Sequence, residues 1–557
     1  MSFAENLFQR PVSDYSGNAE GPAPASRPLV LVMLFLACFA ARALMSLTWD
    51  VLWVDGVIYL KACQFLEQGD FDGAFKGQGL NVYPAILLML RRLGLEWSAA
   101  AVWWSVLMSS LVVLPLFGWV RRQFDDRVAL LACVLYILHP KLLGFSPLTI
   151  RDPTFWFLFT LTLYLLWRAV TELRWWTFVS GGVTLILACL TRTEGWLLLV
   201  PLVLWPVGRF PAAGGKDRLR LAGGTVLSLA MIPLLLVAVN LTLLRNHSRW
   251  EFGYNRCIAH AVKLVGELNR ADAGEAEKPA RPEAAASRTE RSDTAKTESE
   301  KKSAIRNSAS LIGKVGSRLV KAFTYAYGLL AIIGLWYWRR VFMRREHQTI
   351  LAMNLLLLVV IGMRYSLDGI DVRYYLPIII VGCPFMALGL LQAVQWVVGL
   401  LFGDDGGTPR RRTVVGVGLL AVIVAVGSFN IFPVARSTMY EHAHLGKWIL
   451  DRFGPGQKVI GSRRQQSLVE YYGQAEVLSC PNFLEYSSEP LLPLLKNKIP
   501  DVVLLWRSWR HDDDWQPYRE KILDRQEELG YHEIPPDSLP ASCTNVKVLL
   551  RNDKRLK

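Results

Sequence analysis

Apolar runs of a length that suits a membrane recur along most of the chain, from about residue 29 to residue 433. A helix needs about 20 apolar residues to cross the hydrocarbon core of a bilayer, and positive charges collect at the ends of such helices. The pattern predicts a mostly α-helical, polytopic membrane protein with about eleven transmembrane helices. The predicted spans cover residues 29–48, 99–120, 130–143, 155–166, 177–190, 196–207, 221–244, 325–338, 350–363, 376–402 and 414–432.

The first loop, residues 49–97, mixes charged residues with short apolar stretches. After Asp55, apolar residues that include Ile58 and Phe65 recur at helical spacing, which predicts an amphipathic helix lying along the membrane surface. A second apolar piece, residues 85–90, is too short to cross the bilayer. We therefore predict two interfacial helices in this loop.

Three segments differ from the membrane region. Residues 1–27 are polar and rich in Pro, Gly and Ser, which predicts a disordered tail before a first span that stays uncleaved. Residues 267–308 contain no aromatic residue and consist mainly of Ala, Glu, Lys, Arg, Ser and Thr, which predicts a disordered loop. Residues 436–557 alternate strand-like and helix-like segments, which predicts a small soluble α/β domain. The predicted transmembrane domain is therefore 28–435.

Charge determines the orientation of the chain and argues against nucleic acid as a partner. The formal net charge is +15 and the mean hydropathy is +0.26. The cations lie mostly at span ends, where they orient helices and attract anionic lipid. Placing the N-terminus in the cytoplasm puts all the main clusters inside. These clusters are residues 121–127, 168–174, 209–220, 339–345 and 410–412. The protein is predicted in the plasma (inner) membrane, with the C-terminal domain outside.

The predicted outer face gathers ionisable residues at span ends. Each has a plain structural alternative: Asp55 or Asp152 can cap a helix, and Arg192 can extend its charge to the interface. Together, carboxylates and cations on one membrane face suit an anionic lipid substrate. Cations neutralise a phosphate, and a carboxylate takes a proton from a hydroxyl. In the outer domain, Cys480 and Cys543 are predicted to pair, because the envelope is an oxidising place.

Several short motifs in a fixed order carry a family resemblance. They are Trp53-Val-Asp-Gly-Val-Ile-Tyr59, Tyr83-Pro84, Arg121-Arg-Gln-Phe124, Leu190-Thr-Arg-Thr-Glu-Gly195 and Arg373-Tyr-Tyr-Leu-Pro377. In this order the chain resembles the GT-C membrane glycosyltransferases of the protein O-mannosyltransferase and aminoarabinose-transferase type. The similarity covers about residues 29–210 and the later Arg373 motif.

The resemblance implies a GT-C fold and transfer of a sugar from a polyprenyl-phosphate carrier to a lipid, glycan or protein acceptor. It implies that Asp55 is the general base and Asp152 the second acid. The substrate-binding residues predicted beside them are Tyr59, Lys61, Tyr83, Arg151, Arg192, Glu194, Arg373 and Tyr374. The family often has Asp-Glu where this chain has Asp55-Gly56, so cofactor use is left unknown, with a divalent cation as one possibility.

Two other classes of protein fit parts of the pattern. A transporter or lipid flippase places polar residues near the bilayer midplane, often in two related halves. Here the polar clusters fall at span ends, and no internal repeat is evident. An assembly protein with solvated outer charges is the third reading. Loss of sugar transfer on changing Asp55, with normal membrane insertion, separates the enzyme from both.

Overall fold

A computed structural model describes most of the membrane region and the core of the C-terminal region. The described residues are 27–49, 51–75, 81–243, 313–337, 339, 344–368, 371–403, 408–428, 435–461, 466–478, 495, 500–506, 520 and 522–554. The predicted disordered segments 1–27 and 267–308, Arg27 apart, lie outside these residues. So does Cys480, the predicted partner of Cys543.

The first part of the chain is helical. Its helices are α1 Arg27–Ser46, α2 Val54–Glu67, α3 Phe71–Phe75, α4 Val82–Arg92, α5 Trp97–Leu111, α6 Val113–Gln123, α7 Asp126–Leu138, α8 Pro140–Phe145, α9 Asp152–Glu172, α10 Trp175–Thr191, α11 Leu199–Arg209, α12 Gly215–Leu243, α13 Gly313–Phe323, α14 Ala326–Tyr337, α15 Arg345–Asp368, α16 Leu376–Phe402 and α17 Pro409–Ser428. Short 3-10 turns at Thr193–Leu198 and Val372–Tyr375 precede α11 and α16.

Nine of the eleven predicted spans each overlap one of these helices, whereas 99–120 covers α5 and α6, and 130–143 covers α7 and α8. Among the described residues, seven helical segments are long and apolar enough to cross a membrane, or eight if α13 and α14, bent by 100°, form one span. Helix α10 and the apolar part of α15 are shorter. The mostly α, polytopic architecture is confirmed. Helix α4 also forms where a short helix was predicted, and at 11 residues it is too short to span the membrane.

Local sequence signals explain several helix starts. Asn81 precedes α4, and its side chain accepts a hydrogen bond from the backbone of Tyr83 at 3.0 Å. Glu96 does the same for α5, and Asp125 for α7. Side chains of this kind satisfy backbone N–H groups that have no partner within the helix.

Helix α16 is the most deeply buried long helix of the described membrane region, and α14 crosses it closely. A Cβ atom added at Gly389 would lie 1.9 Å from the backbone oxygen of Leu330. One added at Gly334 would lie 1.9 Å from that of Phe385. Two facing glycines therefore bring the backbones together, as small residues do where membrane helices pack.

We predict that Gly389→Val greatly lowers the yield of folded protein and its thermal stability, because the added side chain meets backbone that cannot move aside. Gly399→Val is the matched control on the same helix, where an added Cβ meets nothing within 4 Å. Fluorescence-detected size-exclusion chromatography after heating measures both. Equal behaviour of the two variants would contradict the close crossing.

The C-terminal region folds around a sheet, as the sequence predicted. Helix α18 is Ala435–Phe453, and α19 is Gln466–Gly473. The strands are β1 Lys458–Gly461, β2 Glu476–Val477, β3 Val502–Trp506, β4 Tyr531–Glu533 and β5 Val546–Arg551. They lie in the order β2-β1-β3-β5-β4, with β2, β1 and β3 parallel and β5 and β4 antiparallel.

Both faces of strand β3 are buried. Val502 and Leu504 pack with α18 residues on one face, while Val503 and Leu505 belong to a second apolar cluster on the other. Alternate residues of a strand point to opposite faces, so a strand covered on both sides is apolar throughout. Cys543 is buried in the first cluster, with its thiol 3.5 Å from the backbone oxygen of Glu441.

The chain divides into two compact units. The first comprises Met1–Ser46, Cys63–Pro147 and Arg151–Ile431, and the second comprises Leu47–Ala62, Leu148–Ile150 and Phe432–Lys557. The second unit therefore includes the start of α2, with Asp55, together with the C-terminal sheet. The boundaries at 28, 436 and in the first loop stay predictions.

Candidate active site

A buried ionic network occupies one part of the first unit. Asp152 begins α9, Arg192 follows the end of α10, and Glu194 lies in the next 3-10 turn. The Arg192 guanidinium forms an ion pair with Asp152 through Nη1. Its Nη2 and Nε donate to the two oxygens of Glu194 at 2.8 and 3.1 Å. The side chains of all three are at most 7% exposed.

This network bears on two structural alternatives: that Asp152 caps a helix, and that Arg192 extends its charge to the interface. The residue that precedes α9 is Arg151, whose side chain makes no cap, and Asp152 instead pairs with Arg192. Arg192 is buried and neutralised by two carboxylates rather than extended to the interface. Buried charges persist only when they are paired and hydrogen-bonded. The network as a whole keeps one net negative charge.

Aromatic rings cover the guanidinium. The centre of Arg192 lies 4.6 Å from the ring centroid of Tyr374 and 5.8 Å from that of Phe155. The guanidinium of Arg373 lies 5.4 Å from the same Tyr374 ring. Guanidinium groups bind aromatic faces through the quadrupole of the ring. Tyr374 therefore links the motif before α16 to the network around Asp152.

Lys141, at the start of α8, joins this neighbourhood although the sequence did not single it out. Lys141 is partly buried, and the charge of Asp371 acts on it. Burial raises the pKa of Asp371, Arg373 lowers it, and the Asp152 carboxylate raises it. Asp371 thus lies within electrostatic reach of Lys141, Arg373 and Asp152. The sequence signal for Lys141 is a cation beside Pro140, near the end of the predicted span 130–143.

Asp55 lies in the second unit, in the first turn of α2. The backbone oxygen of Trp53 accepts hydrogen bonds from the N–H groups of Gly56 and Val57, at 2.8 and 3.3 Å. Asp55 is therefore a first-turn residue, where a negative charge is favoured by the helix dipole, and not the residue that precedes the helix.

Helix α2 packs against protein through a side next to the predicted apolar stripe. Ile58 and Phe65 are 42% and 38% exposed, whereas Val57, Leu60 and Cys63 are at most 1% exposed. The buried residues recur every three positions, one step around the helix from the predicted stripe. Ile58 and Phe65 of the predicted stripe are thus not covered by protein, and the placement of α2 along the membrane surface stays a prediction.

The remaining predicted residues fall in three places. Tyr59 is 6% exposed on α2, and Lys61 forms an ion pair with Glu470 of α19, within the second unit. Tyr83 is fully buried on α4 in the first unit. Arg151 lies close enough to Glu194 for its charge to act on that carboxylate. The substrate-binding roles of all the residues named from the sequence stay predictions.

A sequence model of the family described as dolichyl-phosphate-mannose-protein mannosyltransferase matches residues 82–242. The match runs from α4 into α12. It includes Tyr83, Arg151, Asp152, Arg192 and Glu194. Comparison with curated protein sequences gives no significant match.

Solved structures share the fold across most of the chain. One is ArnT from Cupriavidus metallidurans bound to undecaprenyl phosphate, with a TM-score of 0.56 and 14% identity over 94% of this chain and 98% of that one. The same ArnT in the apo state gives a TM-score of 0.51 and 13% identity, over 94% and 97%. The oligosaccharyltransferase of Archaeoglobus fulgidus, solved with Zn and sulfate, gives 0.53 and 14% over 91% and 72%.

The resemblance drawn from the sequence is confirmed. The fold is that of GT-C membrane proteins, and the family match together with the fold supports a glycosyltransferase of the ArnT and protein mannosyltransferase type.

The residues around Asp55 do not fit a divalent cation held by an Asp-Glu pair. Gly56 stands where the family often has Glu, and a Cβ atom there would lie 2.0 Å from Oγ1 of Thr149. Thr149 thus fills the space that a second acidic side chain needs. Among the described residues, no three His, Cys, Asp or Glu side chains gather as a metal-binding group.

Proposed function

We propose that the protein is an inverting glycosyltransferase that moves a sugar from a polyprenyl-phosphate donor to an acceptor hydroxyl. The acceptor oxygen attacks the anomeric carbon, and the bond from that carbon to the phosphate oxygen breaks. Asp55 takes the hydroxyl proton, and the carrier leaves as polyprenyl phosphate. One base and one phosphate leaving group are sufficient, because a phosphate leaving group needs charge stabilisation more than protonation.

The observation that carries this proposal is the mannosyltransferase family match inside a GT-C fold. The ArnT structure with undecaprenyl phosphate supports a lipid phosphate as the carrier. The family match favours an acceptor hydroxyl. Acceptors of lipid, glycan and protein type all remain within the proposal, as do hexosyl and pentosyl donors.

The proposed orientation follows the positive charges. We place the protein in the plasma (inner) membrane, with the N-terminus in the cytoplasm and the C-terminal domain outside. Asp55, Asp152, Arg192 and Arg373 then belong to the extracytoplasmic side. Membrane lipids surround the apolar helices and carry the donor.

We propose a division of labour among the charged residues. Arg373 and Lys141 bind the donor phosphate, since phosphate selects cations of this kind. Arg192 already contacts two carboxylates, so its main role is to hold Asp152 in place, and its predicted contact with phosphate is secondary. Asp152 is 2% exposed and supports the site, while the partly exposed Asp55 is the base.

The proposal is tested by mass spectrometry of envelope glycolipids, glycans and glycoproteins from a deletion strain and a complemented strain. We expect the deletion to remove one sugar from an acceptor class and to leave the polyprenyl-phosphate sugar unused on the outer leaflet. A transporter predicts instead that the donor accumulates on the inner leaflet. An unchanged set of glycans would contradict both functions.

A further inference from the structure

The segment that leads into Asp55 is fixed by other parts of the second unit. The backbone N–H of Leu52 donates to the hydroxyl of Tyr472 at 3.0 Å. The next N–H, that of Trp53, donates to Oγ1 of Thr149 at 3.3 Å. Two successive backbone groups just before the helix therefore have side-chain partners from distant parts of the chain.

A second contact reaches α2 one turn beyond Asp55. Lys61 forms an ion pair with Glu470, and both side chains are about one-third exposed. Glu470 and Tyr472 belong to the same short helix, α19, so this helix contacts α2 and the residues before it at two points.

Helix α19 is itself firmly attached to the C-terminal sheet. Leu468 and Val469 are fully buried, and Val469 belongs to the same apolar cluster as Val459 of β1. Gly473 packs against Gly446 of α18 closely enough that a Cβ on Gly446 would lie 3.0 Å from the Gly473 nitrogen. Displacing α19 therefore disturbs the core of the domain, so α19 is a rigid support for the contacts that it makes with α2.

We propose that α19, through Glu470 and Tyr472, positions Asp55, so that the C-terminal domain is part of the catalytic machinery. Glu470 and Tyr472 are positioning residues that act through α2. This inference rests on the proposed role of Asp55. A catalytic group must be held to within a fraction of an ångström, and a displacement of about 1 Å costs about 100-fold in rate.

The test is a charge exchange between the two helices. Lys61→Glu and Glu470→Lys each place like charges together, and the double variant restores an opposite pair. We expect kcat to fall about ten- to a hundredfold in each single variant, with the KM for the donor unchanged, and to recover in the double variant. If Lys61 bound substrate instead, the double variant would stay impaired and KM would rise.

A readout that needs no catalysis accompanies this one. Hydrogen–deuterium exchange of the peptide covering residues 51–62 is measured in the full-length protein in lipid nanodiscs. Tyr472→Phe removes one hydrogen bond and keeps the ring, so we expect exchange of the Leu52 amide to rise about fivefold. The single charge variants should raise exchange across the peptide, and the double variant should restore protection.

Glu528→Lys is the matched control. Glu528 pairs with Arg525 on the surface of the same domain, and both side chains are more exposed than Lys61 and Glu470. We expect it to change neither readout.

Kinetics and hydrogen–deuterium exchange together distinguish a wrong role for α19 from a wrong proposed function. If the wild-type protein transfers no sugar, the exchange data still show whether α19 holds α2. Unchanged protection in Glu470→Lys and Tyr472→Phe overturns the inference, and so does altered protection with normal kcat.

Discussion

Asp55→Asn is expected to abolish turnover while the protein folds and inserts normally. Asn has nearly the size of Asp and retains hydrogen bonding, but it accepts no proton at neutral pH. Loss of a general base costs about 100- to 10,000-fold in rate. The lost charge in the first turn of α2 costs only about 0.3–1 kcal/mol of stability. Initial rates of sugar transfer and thermal unfolding curves of the purified variant measure the two effects.

Asp72→Asn is the matched control for this prediction. Asp72 is also a first-turn acid in the same loop, on the short helix α3, and it is exposed. The same chemical change there should leave turnover normal. Transfer at a near wild-type rate by Asp55→Asn would remove Asp55 from the mechanism, and Asp152→Asn would then be the variant to measure.

The membrane helices were predictable because their cause is local. In a bilayer every backbone polar group must be satisfied within its own segment, so a long apolar run has one solution, the helix. This logic located the ends of α1, α9, α12 and α17 to within six residues. It did not distinguish full spans from shorter apolar helices such as α10, since apolar spacing does not encode the depth at which a helix ends.

The sheet of the C-terminal region was predictable only in part. Strands β1 and β3 have buried apolar residues on both faces, and their Val459-Ile460 and Val502–Trp506 segments read as apolar runs. Strands β2 and β4 have two and three residues, too few for a pattern to emerge. Helix α18 begins at residue 435 with polar residues, whose start no apolar pattern marks.

The sequence indicated which residues belong to the candidate site but not which residues they contact. Arg192, Asp152 and Glu194 stood out as charges at span ends, yet nothing in the sequence joins Arg192 to an acid forty residues earlier. The contact between Leu52 and Tyr472 joins residues 420 positions apart. Such pairs depend on how helices are arranged, which local spacing does not specify. The ion pair of Lys61 with Glu470 is another such contact, and the substrate-binding role of Lys61 stays a prediction.

Arg192→Met is expected to lower the stability of the membrane region strongly. Met matches the length of the aliphatic part and keeps the apolar contacts with Phe155 and Tyr374. It leaves Asp152 and Glu194 buried without their shared cation. Removing one partner of a buried ion pair costs about 3–5 kcal/mol, because the remaining charge is uncompensated.

Thermal unfolding in detergent, followed by size-exclusion chromatography, gives the comparison. Arg220→Met is the control, because Arg220 is 65% exposed and pairs with Asp217 across 3.7 Å, and exposed pairs contribute about 0–1 kcal/mol.

Adding Asp152→Asn and Glu194→Gln to Arg192→Met should recover most of the lost stability, since the triple variant buries no charge. It should not recover activity, because residue 152 is then a neutral Asn.

Arg192→Lys keeps the charge but cannot contact both carboxylates in the same planar geometry, so its unfolding temperature should lie between those of Arg192→Met and the wild type. If Arg192→Met unfolded at the wild-type temperature, the buried network would not hold this part of the fold, and Arg192 would return to its first predicted role as a phosphate ligand.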